Sequence, residues 1–122
     1  MIFNISLLVL ANILLAEGAE IFSYHGQDCG GDLSGNIQLD VNTCYGMTGG
    51  NQQSLYVLNE SDDYTVHVWY GNMQCHDAES AFYNHNTCCN LEDDEFSVMV
   101  TRGDIKSANL KPQKNVKIDN FF

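Results

Sequence analysis
The chain repeats itself, and that limits its fold more than any other feature. Tyr24-His-Gly-Gln-Asp-Cys29-Gly-Gly31 aligns with Tyr70-Gly-Asn-Met-Gln-Cys75-His-Asp77. Each copy then reaches a second cysteine, Cys44 in the first and Cys88 or Cys89 in the second. Both end in Ser-apolar-x-Val, as Ser54-Leu-Tyr-Val57 and Ser97-Val-Met-Val100. Thirty residues separate Tyr24 from Ser54, and twenty-seven separate Tyr70 from Ser97. Four landmarks in one order at nearly one spacing predict a duplicated supersecondary unit.

The units read as strands. Ala19-Glu-Ile-Phe-Ser-Tyr24, Tyr64-Thr-Val-His-Val-Trp-Tyr70, Ser54-Leu-Tyr-Val-Leu58 and Phe96-Ser-Val-Met-Val-Thr101 are rich in β-branched and aromatic residues. Glycines between them mark turns, and no stretch of the body keeps a helical period for three turns. The core is expected to hold Phe22, Tyr24, Leu55, Val57, Val68, Tyr70, Val98 and Val100. His67, between two valines, is expected to face solvent. The fold class predicted is all-β: two repeated units, about 19–58 and 64–102, packed as a small disulfide-stabilised sandwich, with the polar stretch 58–63 joining them.

Ahead of the repeats, Ile5 to Ala16 is apolar apart from Ser6 and Asn12. Twelve residues at about 1.5 Å each fall well short of a hydrocarbon core of roughly 30 Å, so no membrane span is expected. Small Ala16 and Gly18 stand at −3 and −1 of a cut before Ala19, so residues 1–18 read as a secretory signal peptide and the protein as secreted. All five cysteines, Cys29, Cys44, Cys75, Cys88 and Cys89, follow that cut. In an oxidising compartment they predict two disulfides and one odd thiol, either buried or bridged to a second chain as a disulfide-linked dimer.

Sixteen acids against five lysines and arginines give a net charge of −11. Nucleic acid and anionic membrane surfaces both need clustered cations, so neither is an expected partner. Thirteen of the acids lie between Glu20 and Thr101, a stretch without Lys or Arg. All five bases fall in Arg102 to Phe122. The body is therefore anionic, and residues 103–122 read as a basic tail, flexible or folded back onto the acids.

The repeat pattern resembles the βγ-crystallin Greek-key family, whose unit runs aromatic, four residues, aromatic, one residue, glycine, then a late Ser-apolar-x-Val strand. Tyr24, Cys29 and Gly31 occupy the early positions, with cysteine replacing the second aromatic. The second unit has Tyr70 and Cys75 but Asp77 in place of glycine. Asp is among the residues that tolerate the left-handed backbone this hairpin requires. Small secreted microbial versions of that fold include killer toxins, protease inhibitors and plant-pathogen effectors. The symmetry of the repeats suggests pairing Cys29 with Cys44, and Cys75 with Cys88 or Cys89. Chain order alone leaves bridges between the halves open.

Many members of that family bind calcium on an Asn/Asp pair, two residues, Ser/Thr, then the strand serine. Here the register gives Glu92-Asp93-Asp94-Glu95-Phe96-Ser97, which offers acids but puts Phe96 where a hydroxyl ligand belongs. Glu92, Asp93 and Asp94 form a weak metal candidate, and a solvated acidic loop is the expectation. No cofactor is implied. His76-Asp77 and His85 near Cys88 can be drawn as catalytic pairs, but a bridged cysteine supplies no thiolate. No nucleophile-elbow, zinc-protease or phosphate-loop motif occurs. Asn59-Glu60-Ser61 is a glycosylation sequon, placed on the connector.

The expected function is non-enzymatic binding: a secreted effector or toxin-like virulence factor of a microbe, a fungus for preference. Its partner would be a host or competitor protein, or a second effector chain. The contacts expected are the acidic loop Glu92, Asp93, Asp94 and Glu95, and Lys111, Lys114, Lys117, Phe121 and Phe122 of the tail. The alternatives are a calcium-binding or structural extracellular domain and an inhibitor of a secreted hydrolase.

Overall fold
A computed structural model of the chain describes residues 18–48, 53–61, 63–92, 95–103 and 110–117. The first strand, β1 (Ala19–Tyr24), buries alternate residues: Ala19, Ile21 and Ser23 point inward, while Glu20, Phe22 and Tyr24 are half-buried. A strand turns successive side chains to opposite faces, so Phe22 and Tyr24 cannot share the inner face with Ile21. Their expected core place falls to Ile21, which is fully buried. Inward Ser23 is tolerated because its hydroxyl is hydrogen-bonded to Ser34 and to the Gly35 carbonyl.

Among the described residues eight more strands follow: β2 (Leu33–Leu39), β3 (Thr43–Thr48), β4 (Ser54–Leu58), β5 (Thr65–Tyr70), β6 (Ala81–Tyr83), β7 (Thr87–Asn90), β8 (Glu95–Thr101) and β9 (Lys111–Lys117). They form two packed sheets, ordered β2-β1-β4-β7 and β6-β5-β8-β3-β9. The third strand of each half crosses to the other half's sheet, so β3 pairs with β8 and β7 with β4. Between the sheets lies one core containing Ile21, Leu39, Tyr45, Met47, Leu55, Val57, Val66, Val68, Phe96, Val98 and Val100. Tyr70 packs at its margin.

The repeat landmarks adopt matching local structure. Cys29 and Cys75 both have positive φ, 56° and 52°. So do Gly31 and Asp77, at 73° and 68°. The Cys29 N–H donates to Ser54 Oγ and the Cys75 N–H to Ser97 Oγ, each at 2.9 Å. The serines of the two Ser-apolar-x-Val endings are thus fully buried anchors for the preceding hairpin loops.

The disulfides are Cys29–Cys88 and Cys44–Cys75. Both link the halves, correcting the pairing suggested within each half. The cause is the strand exchange: β3 carries Cys44 beneath the second half's loop, and β7 carries Cys88 to the first half's loop. Repeat symmetry survives, since each loop cysteine meets a third-strand cysteine.

His67 is also corrected. It is 6% exposed, because both faces of β5 are covered. Val66 and Val68 face the main core, while Trp69 joins Cys44 and Met99 in a second cluster against which Cys75 packs. The loop after β5 closes over this outer face. Gly46 permits the approach: a Cβ there would meet Met73 O at 2.5 Å and Asn115 Oδ1 at 2.6 Å.

Residues 103–122, set apart as a tail, supply β9, which runs parallel to β3 at the edge of the larger sheet. Its first N–H, from Lys111, donates to Asn42 O at 2.8 Å. Lys114 ion-pairs with Asp40 at 3.6 Å and lies over the Tyr45 ring, and Val116 packs against the core. Pro112 fits an edge strand, where a missing donor need not break a ladder.

Candidate functional site
Two of the residues expected to make contacts, Glu95 and Lys117, lie at one end of the larger sheet. Thr48 on β3 is in register with Glu95 of β8 on one side and Lys117 of β9 on the other. Two strand spacings, roughly 9–10 Å, separate that acid from that base across the sheet. Beside them, Thr48, Met73, Asn115, Val116 and Lys117 line a hollow of about 240 Å³. Gln113 Nε2 donates to Met73 O at 2.7 Å and to Asn115 Oδ1 at 2.8 Å, fixing its wall. The arrangement is a largely apolar hollow with Lys117 in its lining and Glu95 two strands from that lysine, held by a sheet and a disulfide-anchored loop.

The remaining expected contacts are scattered. Lys111 is exposed at the far end of β9, and Lys114 is spent on Asp40 and Tyr45. Glu92 is exposed; Asp93, Asp94, Phe121 and Phe122 lie outside the described residues. Phe96, at the position a calcium ligand would need, is a fully buried core residue. Among the described residues no three His, Cys, Asp or Glu side chains gather as a metal site.

The catalytic pairs drawn from the sequence come out as follows. His76 Nε2 and Asp77 Oδ1 are 3.7 Å apart, both well exposed. His85 is exposed, and the cysteine near it, Cys88, is bridged to Cys29. Two buried polar groupings were missed. His67 Nε2 is hydrogen-bonded to Thr101 Oγ1 at 2.8 Å, whose hydroxyl also contacts Gly103 O, and His67 Nδ1 pairs with Glu79. With Trp69 Nε1 donating to Asp77 O at 3.0 Å, this clasp ties the loop down. Trp69 two residues along was the available signal, since an aromatic on the same face as His67 argues for a covered face.

The second grouping surrounds Cys89, the free cysteine, which is buried. Burial raises its thiol above the ordinary range, and the neighbouring Tyr70 and Tyr83 hydroxyls only partly offset this. Burial likewise raises Tyr70, and Tyr83 is pushed up to about 12. A neutral, covered thiol is a poor nucleophile. Bridging it to a second chain requires β7 to leave its sheet.

The Asn59 sequon lies on the connector with its side chain buried. Asn59 is 3% exposed, and its Nδ2, where a glycan would attach, donates to Tyr64 O at 3.0 Å and Tyr83 O at 3.4 Å. A connector that must pass between the halves buries its backbone, and this side chain satisfies the neighbouring carbonyls. Beside it, Ala19, Glu20, Gln38, Glu60, Ser61 and Tyr64 line part of a second hollow of about 320 Å³.

Fold and site define a class: a small all-β protein of two packed sheets, of four and five strands, cross-linked by two disulfides. Comparison with protein-family models, curated proteins and solved structures found no match to this chain.

Proposed function
We propose that the chain is a secreted binding protein of the effector or toxin-like kind, non-enzymatic, acting on a host or competitor protein. Its scaffold is a pair of Greek-key repeats of the βγ-crystallin type. The scaffold reading draws support from the recurrent strand order, the exchanged third strands and the paired positive-φ hairpins. Secretion draws support from the apolar leader and from two disulfides, which persist in oxidising compartments.

The observation that carries the binding reading is the hollow between Thr48, Met73 and Val116, with Lys117 at its rim and Glu95 two strands away. An apolar hollow with a base in its lining and an acid two strands away favours a specific partner by charge complementarity, and a preformed wall lowers the ordering cost of association. The test compares wild type with the double charge reversal Glu95→Lys/Lys117→Glu. Both are immobilised and exposed to secreted and surface proteins of candidate hosts and competitors. The reading predicts a partner retained by wild type and lost at least tenfold by the variant at unchanged Tm, a loss of about 1.4 kcal/mol. Equal capture by both, or by neither, contradicts it.

A further inference from the structure
The two sheets follow one plan up to their third strands and then differ. The edge of β3 is covered by β9, but among the described residues its repeat equivalent β7 has a neighbour, β4, on one side only. The equivalence is close: Asn42-Thr43-Cys44 opens β3, Asn86-Thr87-Cys88 opens β7, and both cysteines are bridged to the opposite loop. Leu91 N–H donates inward to Gln53 O at 2.8 Å. Strand alternation then turns the N–H groups of Cys88 and Asn90 away from β4. Both residues are exposed. The Asn90 carbonyl accepts from Tyr70 Oη at 3.2 Å, which leaves the Cys88 N–H and C=O and the Asn90 N–H on the open edge.

We propose that the β7 edge is a strand-addition site for an extended, lysine-bearing segment of a partner protein, entering parallel as β9 does on β3. Charge favours such an occupant. Exposed Asp28, hydrogen-bonded to Asn90, and Glu92 flank the edge, and residues 20 to 101 hold no Lys or Arg to oppose a cation. The β3 edge shows the chemistry: a basic strand seated parallel, with Lys114 paired to Asp40 beside it. A second copy is a poorer occupant, because its own basic strand is engaged on β3. Main-chain bonds would supply the affinity and the flanking acids the preference for lysine. The proposal deepens the binding reading above but uses a different surface.

The test titrates the full, isotopically labelled chain with the synthetic peptide Lys-Pro-Gln-Lys-Asn-Val-Lys, following amide shifts and hydrogen exchange residue by residue. Exchange at Cys88 and Asn90 is expected to slow by roughly tenfold. A nitroxide on the peptide's amino terminus should broaden Thr87 more than Asn90, as a parallel strand requires. Asn90→Pro should abolish the effect. Asn90→Ala, which loses the same contacts to Asp28 but keeps the backbone donor, should retain it. Changes confined to Thr43–Thr48, self-association without peptide, or equal behaviour of the Pro and Ala variants would each overturn the proposal. The hollow beside Thr48 is untouched by these variants, so failure here leaves the capture experiment above independent.

Discussion
Asp77 holds a backbone conformation that its repeat partner Gly31 adopts without a side-chain penalty. A left-handed non-glycine residue costs about 1–2 kcal/mol, less for Asp, whose short side chain can bond locally. Asp77→Gly is therefore expected to raise stability slightly, by up to about 1 kcal/mol, and Gly31→Ala to lower it by at least about 1 kcal/mol. The added Cβ at Gly31 would also sit 3.0 Å from Gly26 N. Chemical denaturation of both variants checks the pair, and equal effects of one sign would contradict the assignment. The buried thiol gives a pH prediction. Cys89 is raised above 9.0, and Tyr83 goes from 10.0 to about 12, so both stay neutral in the fold where the unfolded chain ionises. The stability they carry is whole below about pH 9 and is lost as pH climbs through the folded values. Thermal unfolding should be flat to about pH 9 and then decline, less steeply in Cys89→Ala/Tyr83→Phe. At this scale the repeat landmarks Tyr24 and Tyr70, the presence of two bridges and the two strand serines were legible in the sequence, but the cysteines' partners and the core place given to Tyr24 were not. The inward parity of β1 was not, because composition reports that a strand is half-apolar without saying which half faces in.

Strands with β-branched and aromatic residues were legible, and the polar ones were not. Leu-Ser-Gly-Asn-Ile-Gln-Leu of β2 and Thr-Cys-Cys-Asn of β7 carry little intrinsic strand preference; their neighbours' unpaired edges make them strands. The same holds for β9, whose side chains are exposed except half-buried Val116. Such a strand should matter to stability without being essential. Truncation after Gly103 removes one ladder, the Lys114–Asp40 pair and the Val116 contact. It is expected to cost about 1–2 kcal/mol, lowering Tm by roughly 5–15 °C with folding retained. Loss of cooperative unfolding in the truncated chain would show instead that β9 is part of the core structure. The Asn59 connector belongs here too. A sequon predicts exposure only if its segment is a free loop, and this one is threaded between β4 and β5 with its amide used. The protein should carry no glycan at Asn59, as intact mass will show.

At the scale of the whole molecule, the halves are interlocked by exchange of their third strands and then cross-linked. The duplication was legible because it lies in local order and spacing. The exchange was not, because it is a pairing between distant segments that no single segment encodes. The bridges close loops of 59 and 31 residues in sequence separation, and each would restrict the unfolded chain by about 4 kcal/mol on chain-entropy grounds. Removing both should leave a protein of this size largely unfolded at physiological temperature. Interlocking also makes each hairpin loop depend on the opposite half, which keeps the hollow at Thr48 and Met73 preformed. The most direct test digests the unreduced protein after free thiols are alkylated and identifies the linked peptides by mass spectrometry. The fold predicts Cys29 linked to Cys88, Cys44 linked to Cys75, and the label on Cys89 only after denaturation. Linkage of Cys29 to Cys44, with Cys75 joined to Cys88 or Cys89, would confine each bridge to its own half and contradict the interlocked fold.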